Sequence, residues 1–169
     1  MSRRVIHVAT VVLTASLAMT GCGSSDPKAA AMEVARTYMD AAIREDWKKA
    51  CPLESQGFLG GKTVEQCVAT NTENETSASA SSSGPEAGRS KASDVVEVPA
   101  VGKHLAGYGV LVTFAWPKNP HETQRVALRM VEEGGSWKVD QREKVRPKDM
   151  ARMPDMPELV RTALTAGGE

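Results

Sequence analysis

"QRVALRMVEEGGSWKVDQREKV", Gln124 to Val145, reads as a β-hairpin, and the fold is built outward from it. Val126, Leu128 and Met130 alternate with Arg125, Ala127 and Arg129, the period-two pattern of a strand with one buried and one wetter face. Gly134-Gly135 supplies positive φ at no steric cost, as a tight hairpin turn requires. The returning strand then carries Trp137 and Val139 inward.

Working upstream, "YGVLVTFAW", Tyr108 to Trp116, is an apolar run suited to a central strand covered on both faces. Val96, Val98 and Val101 mark a strand before it. The expectation is an antiparallel meander over residues 94–101, 107–116, 123–133 and 136–145.

Helical signals precede the strands. Asp26-Pro27 predicts a helix start, the carboxylate capping free amides and proline taking the first turn, where its missing donor is harmless. Met32, Ala35, Met39, Ala42 and Ile43 then form one apolar face over residues 27–45. Asp46 is placed to cap a short second helix, Trp47 to Leu53, and Gly57, Gly60 and Gly61 break the helical pattern after it. Thr63-Val64-Glu65-Gln66 has the form of a capping box opening a third helix, with Cys67 one turn inside. The stretch 71–93, "NTENETSASASSSGPEAGRSKAS", has no aromatic or branched aliphatic residue and reads as a flexible excursion. Asn74-Glu75-Thr76 within it matches a glycosylation acceptor by coincidence. Helices followed by an antiparallel sheet is an α+β order, and the length fits one domain over residues 29–166.

The first residues carry an address. Arg3-Arg4, an apolar stretch from Val8 to Met19 and the small-residue junction before Cys22 have the layout of an export signal covering residues 1–21. The stretch is shorter than the about 20 apolar residues a spanning helix needs. The junction resembles the bacterial lipobox: Gly21 and Cys22 match, and Met19 stands where leucine is usual. That resemblance implies acylation of Cys22, for instance with palmitate, a tether over residues 22–28, and a chain anchored on the extracytoplasmic face of the cell membrane. Ser2-Arg3-Arg4-Val5-Ile6 also partly resembles a twin-arginine signal, and the export route stays open between that and the general one.

Removing residues 1–21 takes away Arg3 and Arg4 and no acid, so the formal charge moves from 0 to about −2. That argues against a nucleic-acid binder or a polybasic membrane patch. Of three cysteines, lipidation of Cys22 leaves Cys51 and Cys67 as one pair, whose disulfide outside the cytoplasm would contribute about 3 kcal/mol by loop closure. A metal site on those two thiols lacks a nearby histidine, since His104 and His121 are far away in sequence.

"VARTYMDAAIREDWKKAC", followed much later by "GGSWKVD" and a final strand, resembles the nuclear transport factor two-like superfamily, particularly its small exported bacterial lipoproteins. The resemblance covers about residues 29–145 and implies amphipathic helices in the mouth of a cone-shaped, curved sheet, with the tryptophan after the last hairpin packed on it. It also implies a cavity between the first helix and the sheet, lined or filled by Met32, Met39, Val112, Phe114, Val126, Leu128 and Trp137.

Enzymes of that superfamily hold an aspartate or histidine inside the cone as a general base. The candidates are Asp40, Asp94, His104 and Asp140. Asp40 lies off the apolar stripe and Asp140 has the wrong parity beside Val139, so both read as solvent-facing. His104, in the turn "GKHLAG", has no acid partner assignable from spacing. No catalytic pair emerges, and no cofactor is implied. Met150, Met153 and Met156, three apart, are soft thioethers that could hold Cu(I), set against a tail folding back on the sheet before a short helix, Pro157 to Ala166. The expectation is a lipid-anchored protein binding a small ligand or an extracytoplasmic protein; the alternatives are an isomerase or dehydratase of the same fold and a copper binder.

Overall fold

A computed structural model describes residues 26–77, 90–116 and 119–166. The expected export signal, Cys22 and most of the expected tether lie outside the described residues. Among the described residues, six helices and four strands come in the order α1 (Pro27–Ile43), α2 (Trp47–Ala50) with a 3-10 turn at Cys51–Leu53, α3 (Gln56–Leu59), α4 (Val64–Ser77), β1 (Lys91–Val98), β2 (Gly107–Trp116), β3 (Asn119–Glu133), β4 (Ser136–Val145), α5 (Pro147–Arg152) and α6 (Met156–Ala166). The strands form one open antiparallel sheet in the order β1-β2-β3-β4, so the fold is α+β with N-terminal helices packed on a four-stranded meander. Among the described residues, no helix is long and apolar enough to cross a membrane.

Local chemistry accounts for most boundaries. Asp26 Oδ1 accepts from Lys28 N at 3.0 Å and Pro27 takes the first turn of α1. Thr63 and Gln66 form the reciprocal capping box, Thr63 N to Gln66 Oε1 at 2.9 Å and Gln66 N to Thr63 Oγ1 at 3.2 Å. Gly134 and Gly135 turn the β3–β4 hairpin with φ of 60° and 75°. Asp46 departs from expectation: its carboxylate pairs with Lys49 Nζ at 2.6 Å and makes no cap hydrogen bond. α1 stops two residues short of 45 because Glu45 takes φ of 60°. Asp46 N then bonds Ala41 O and Glu45 N bonds Ala42 O, the pattern of a left-handed C-cap.

The serine-rich stretch is regular at both ends. Residues 71–77 continue α4, which therefore contains the Asn74-Glu75-Thr76 triplet, and Lys91 to Ser93 begin β1 three residues earlier than expected. The excursion between them lies outside the described residues. β1 shifts register through a bulge between Ser93 and Val96, where Asp94 takes φ of 52° and accepts from Ser93 Oγ at 2.7 Å. Val101 is not part of the strand; it closes a tight turn with His104 through paired backbone bonds.

Both faces of the sheet are covered. On one, α1 lays Ala31, Ala35, Tyr38, Met39 and Ala42 over Val110, Val112, Leu128, Met130 and Val139. On the other, Leu159, Val160 and Leu164 of α6 meet Val96, Val98, Leu111, Ala127 and Val145. Gly109 permits that approach, since a Cβ there would lie 2.7 Å from Val160 Cγ1 and 2.9 Å from Leu164 Cδ1. The expectation of a wetter face on β3 is thereby corrected: Ala127, Arg129 and Val131 are all buried, because α6 and the loop after β1 roof the side the alternation had left to solvent. Arg129, wholly inaccessible, is satisfied there. Its Nε donates to Gln141 Oε1 at 3.0 Å, Nη1 to Pro99 O at 2.6 Å and Leu105 O at 2.9 Å, and Nη2 to Leu164 O at 2.8 Å.

Candidate functional site

A half-open groove of about 440 Å³ lies between the C-terminal half of α1 and the far end of the sheet. Its floor is apolar: Met39, Ala42, Ile43, Phe114 and Val126. Its rim carries Glu45, Trp47, Gln124, Arg142 and Lys144. Of the seven residues expected to line a cavity, Met39, Phe114 and Val126 do so. Val112 and Leu128 are fully buried beneath, and Met32 and Trp137 pack half-buried on the same core, the indole 5.4 Å from the ring of Tyr108.

The basic rim was hidden from sequence parity. Counting inward from Trp137 and Val139 assigns residues 141 and 143 to the α1 face. In the structure Met130 pairs with Val139 but Arg129 with Gln141, so one extra residue, Asp140, is absorbed in a bulge and the parity flips. Arg142 and Lys144, opposite Leu128 and Val126, therefore stand over the groove. Glu45 reaches it from the left-handed C-cap position that ends α1.

Trp47 and Arg142 also border a smaller, polar compartment of about 190 Å³, with Tyr38, Glu54, Lys62, Cys67 and Asn71 in its walls. Tyr38 Oη donates to Glu54 Oε1 at 3.2 Å. Burial pushes the Glu54 carboxyl above the ordinary carboxylate range, against the lowering effect of the Tyr38 hydrogen bond and the cations Arg142 and Lys62. Burial likewise drives the Tyr38 hydroxyl up, and the neighbouring Glu54 adds to it, so the phenol stays protonated. Cys51 and Cys67 are joined as a disulfide, tying the 3-10 turn after α2 to the first turns of α4. Glu54 had no distinguishing signal in the sequence beyond its position three residues after Cys51.

The candidate acids and histidine lie elsewhere. Asp40 is half-buried rather than a free surface carboxylate: it accepts from Ser90 N at 2.8 Å, Ser90 Oγ at 2.7 Å and Arg36 Nη1 at 3.0 Å, fastening the start of β1 to α1. Asp94 is the bulge residue of β1. Asp140 is not solvent-facing but buried, and it brings together two residues far apart in the chain. Ser55 Oγ donates to its Oδ1 at 2.6 Å, and His104 Nδ1 lies 2.9 Å from its Oδ2. Ser55 also accepts from Phe58 N at 3.0 Å, as the N-cap of α3. The carboxylate sits between serine and histidine, so the imidazole bonds the carboxylate and not the hydroxyl, and the cluster is a clasp joining β4 to the His104 turn and the start of α3. None of these residues lines the groove.

Met150, Met153 and Met156 pack half-buried against the apolar cluster under α6, as a covering for that core. Searches against family models, curated proteins and solved structures find no match to this chain.

Proposed function

We propose that this chain is an exported lipoprotein, anchored through acyl chains on Cys22, that binds an amphipathic small molecule in the groove beneath α1. One observation carries the reading: a cavity of about 440 Å³ with an apolar floor of five side chains and two cations, Arg142 and Lys144, at its rim. That volume is within the range of small-ligand pockets, and an apolar floor with a few polar groups is how such pockets set orientation. The ligand it suits has an apolar body and one anionic group. Binding is favoured over acid-base catalysis because Asp40, Asp94, His104 and Asp140 are each engaged away from the groove. A helix laid across an open antiparallel sheet also supports kinship with the nuclear transport factor two-like superfamily.

The test titrates the mature chain with an anilinonaphthalene sulfonate, whose fused rings and single sulfonate match these features. Saturable binding at one site, weakened at least tenfold by Arg142→Glu and by the groove-filling Gln124→Trp, is the expected result. Equal affinity in wild type and both variants would remove the groove as the site. Anchoring is tested by palmitate labelling and fractionation: Cys22→Ala must lose both label and membrane association.

A further inference from the structure

We propose that Cys51, Glu54 and Cys67, in the dithiol form of the protein, make a three-ligand binding site for a zinc-class divalent ion. This goes beyond ligand binding in the groove and does not depend on it. The two sulfurs and a carboxylate oxygen of Glu54 all lie within 4.8 Å of one another, and Glu54 Oε2 is 3.4 Å from Cys67 Sγ. Zinc bonds thiolate sulfur at about 2.3 Å and carboxylate oxygen at about 2.0–2.2 Å, so a tetrahedral ion places sulfur and oxygen about 3.5 Å apart. The carboxylate thus already stands at about that edge length from the Cys67 sulfur. Once the cystine is opened, rotation about each Cα–Cβ bond suffices to part the sulfurs to the about 3.8 Å edge of the same tetrahedron.

The surroundings suit an ion in four further respects. Cys51 sits in the turn after α2 and Cys67 in the first turns of α4, whose start is secured by its own capping box, so the backbone carrying the ligands does not rely on the disulfide alone. Asn71 Nδ2, bonded to Cys67 O at 2.9 Å, is 3.5 Å from Cys67 Sγ and 4.0 Å from Cys51 Sγ, positioned to donate to thiolate. The polar compartment of about 190 Å³ reaches Glu54 and Cys67, giving an entry path and room for water as a fourth ligand. Two thiolates and a carboxylate exceed the charge of a divalent ion by one, an excess that one of the two cations in the same walls, Lys62 or Arg142, is enough to offset. Oxidation to the disulfide removes both thiolates, so binding is switched by the redox state of this one pair.

The experiment uses the mature chain reduced with a phosphine, exchanged anaerobically into phosphine-free buffer and titrated with Co²⁺. Expected is a thiolate-to-cobalt charge-transfer absorption saturating at one equivalent, with the intense visible bands of four-coordinate cobalt, bleached by Zn²⁺. The oxidised chain and Cys51→Ser must lack it, and Glu54→Gln must weaken Zn²⁺ affinity at least tenfold. Absence of the absorption in the reduced wild type overturns the proposal, as does unchanged affinity in Glu54→Gln. Far-UV circular dichroism is read alongside: a reduced chain that loses its helical signal and does not recover it on adding Zn²⁺ also overturns it.

Discussion

His104 and Asp140, thirty-six residues apart, meet with Nδ1 and Oδ2 at 2.9 Å, both side chains largely withdrawn from solvent. The contact closes the turn between β1 and β2 onto the edge strand β4, while the other oxygen of Asp140 holds Ser55 at the start of α3.

Asp140→Ala should therefore leave a buried hydroxyl and an imidazole without their acceptor, at a cost of about 1–3 kcal/mol. Asp140→Asn retains an acceptor oxygen and should cost less. Urea denaturation of both variants measures the difference; equal stability of wild type and Asp140→Ala would show the clasp to be inert. Gly57→Ala should act on the same contact, since a Cβ there would stand 2.9 Å from Asp140 Oδ1.

Arg129 should be among the most costly residues to replace. Its guanidinium serves carbonyls of Pro99, Leu105 and Leu164 and the side chain of Gln141, so one residue joins the loop after β1, the end of α6 and strand β4. Arg129→Ala strands those acceptors and opens a cavity, an effect expected at about 3–5 kcal/mol by analogy with breaking a buried charged network. Hydrogen exchange should show α6 released before the β2–β3 core.

Replacing Glu45 by glycine should stabilise the chain by about 1 kcal/mol, because the left-handed C-cap of α1 at φ 60° penalises any Cβ. A rise in thermal midpoint checks it. No rise would mean the Glu45 side chain makes a compensating contact at the groove rim.

The raised Glu54 carboxyl sets the sign of a pH dependence. Its native value lies above the ordinary 4.5, chiefly through burial, so between the two values the folded chain binds more protons than the unfolded one. Stability from this residue is therefore greatest at low pH and falls as pH rises through its native pKa. Glu54→Gln, which can still accept from Tyr38, should be more stable than wild type at pH 7, with the gap closing toward pH 4. Thermal midpoints across that range read it directly.

Reduction of Cys51–Cys67, or the double Cys→Ala variant, should lower stability by about 3 kcal/mol. Exchange protection should fall in α2 and α4 while β2 and β3 keep theirs. Uniform loss across the sheet would show the disulfide to be integral to the core.

Much of the fold was legible because it is local. Asp26-Pro27, Thr63 to Gln66 and Gly134-Gly135 each satisfy their own backbone groups within four residues, so the helix starts and the hairpin turn could be read directly. The floor of the groove was partly legible for a related reason: Met39, Phe114 and Val126 are apolar residues at the ends of periodic elements, where a core runs out. The cysteine pairing came from there being two left once Cys22 is set aside. Asp140 was misjudged as solvent-facing, and Arg142 and Lys144 were not singled out, for one cause: a single bulge in β4 takes up Asp140 as its extra residue and reverses every later inward and outward assignment.

Sequence by itself determined the order and type of the four strands and the longer helices α1, α4 and α6, the caps that start α1 and α4, and the two thiols that join, because these depend on spacing along the chain. Only tertiary structure decided that both sheet faces are roofed, that Arg129 is buried, that Asp140 meets His104 and Ser55, and that Glu54 lies against the cystine. Each of those depends on groups far apart in the chain arriving at one place, and on a one-residue shift in strand register that no local periodicity encodes.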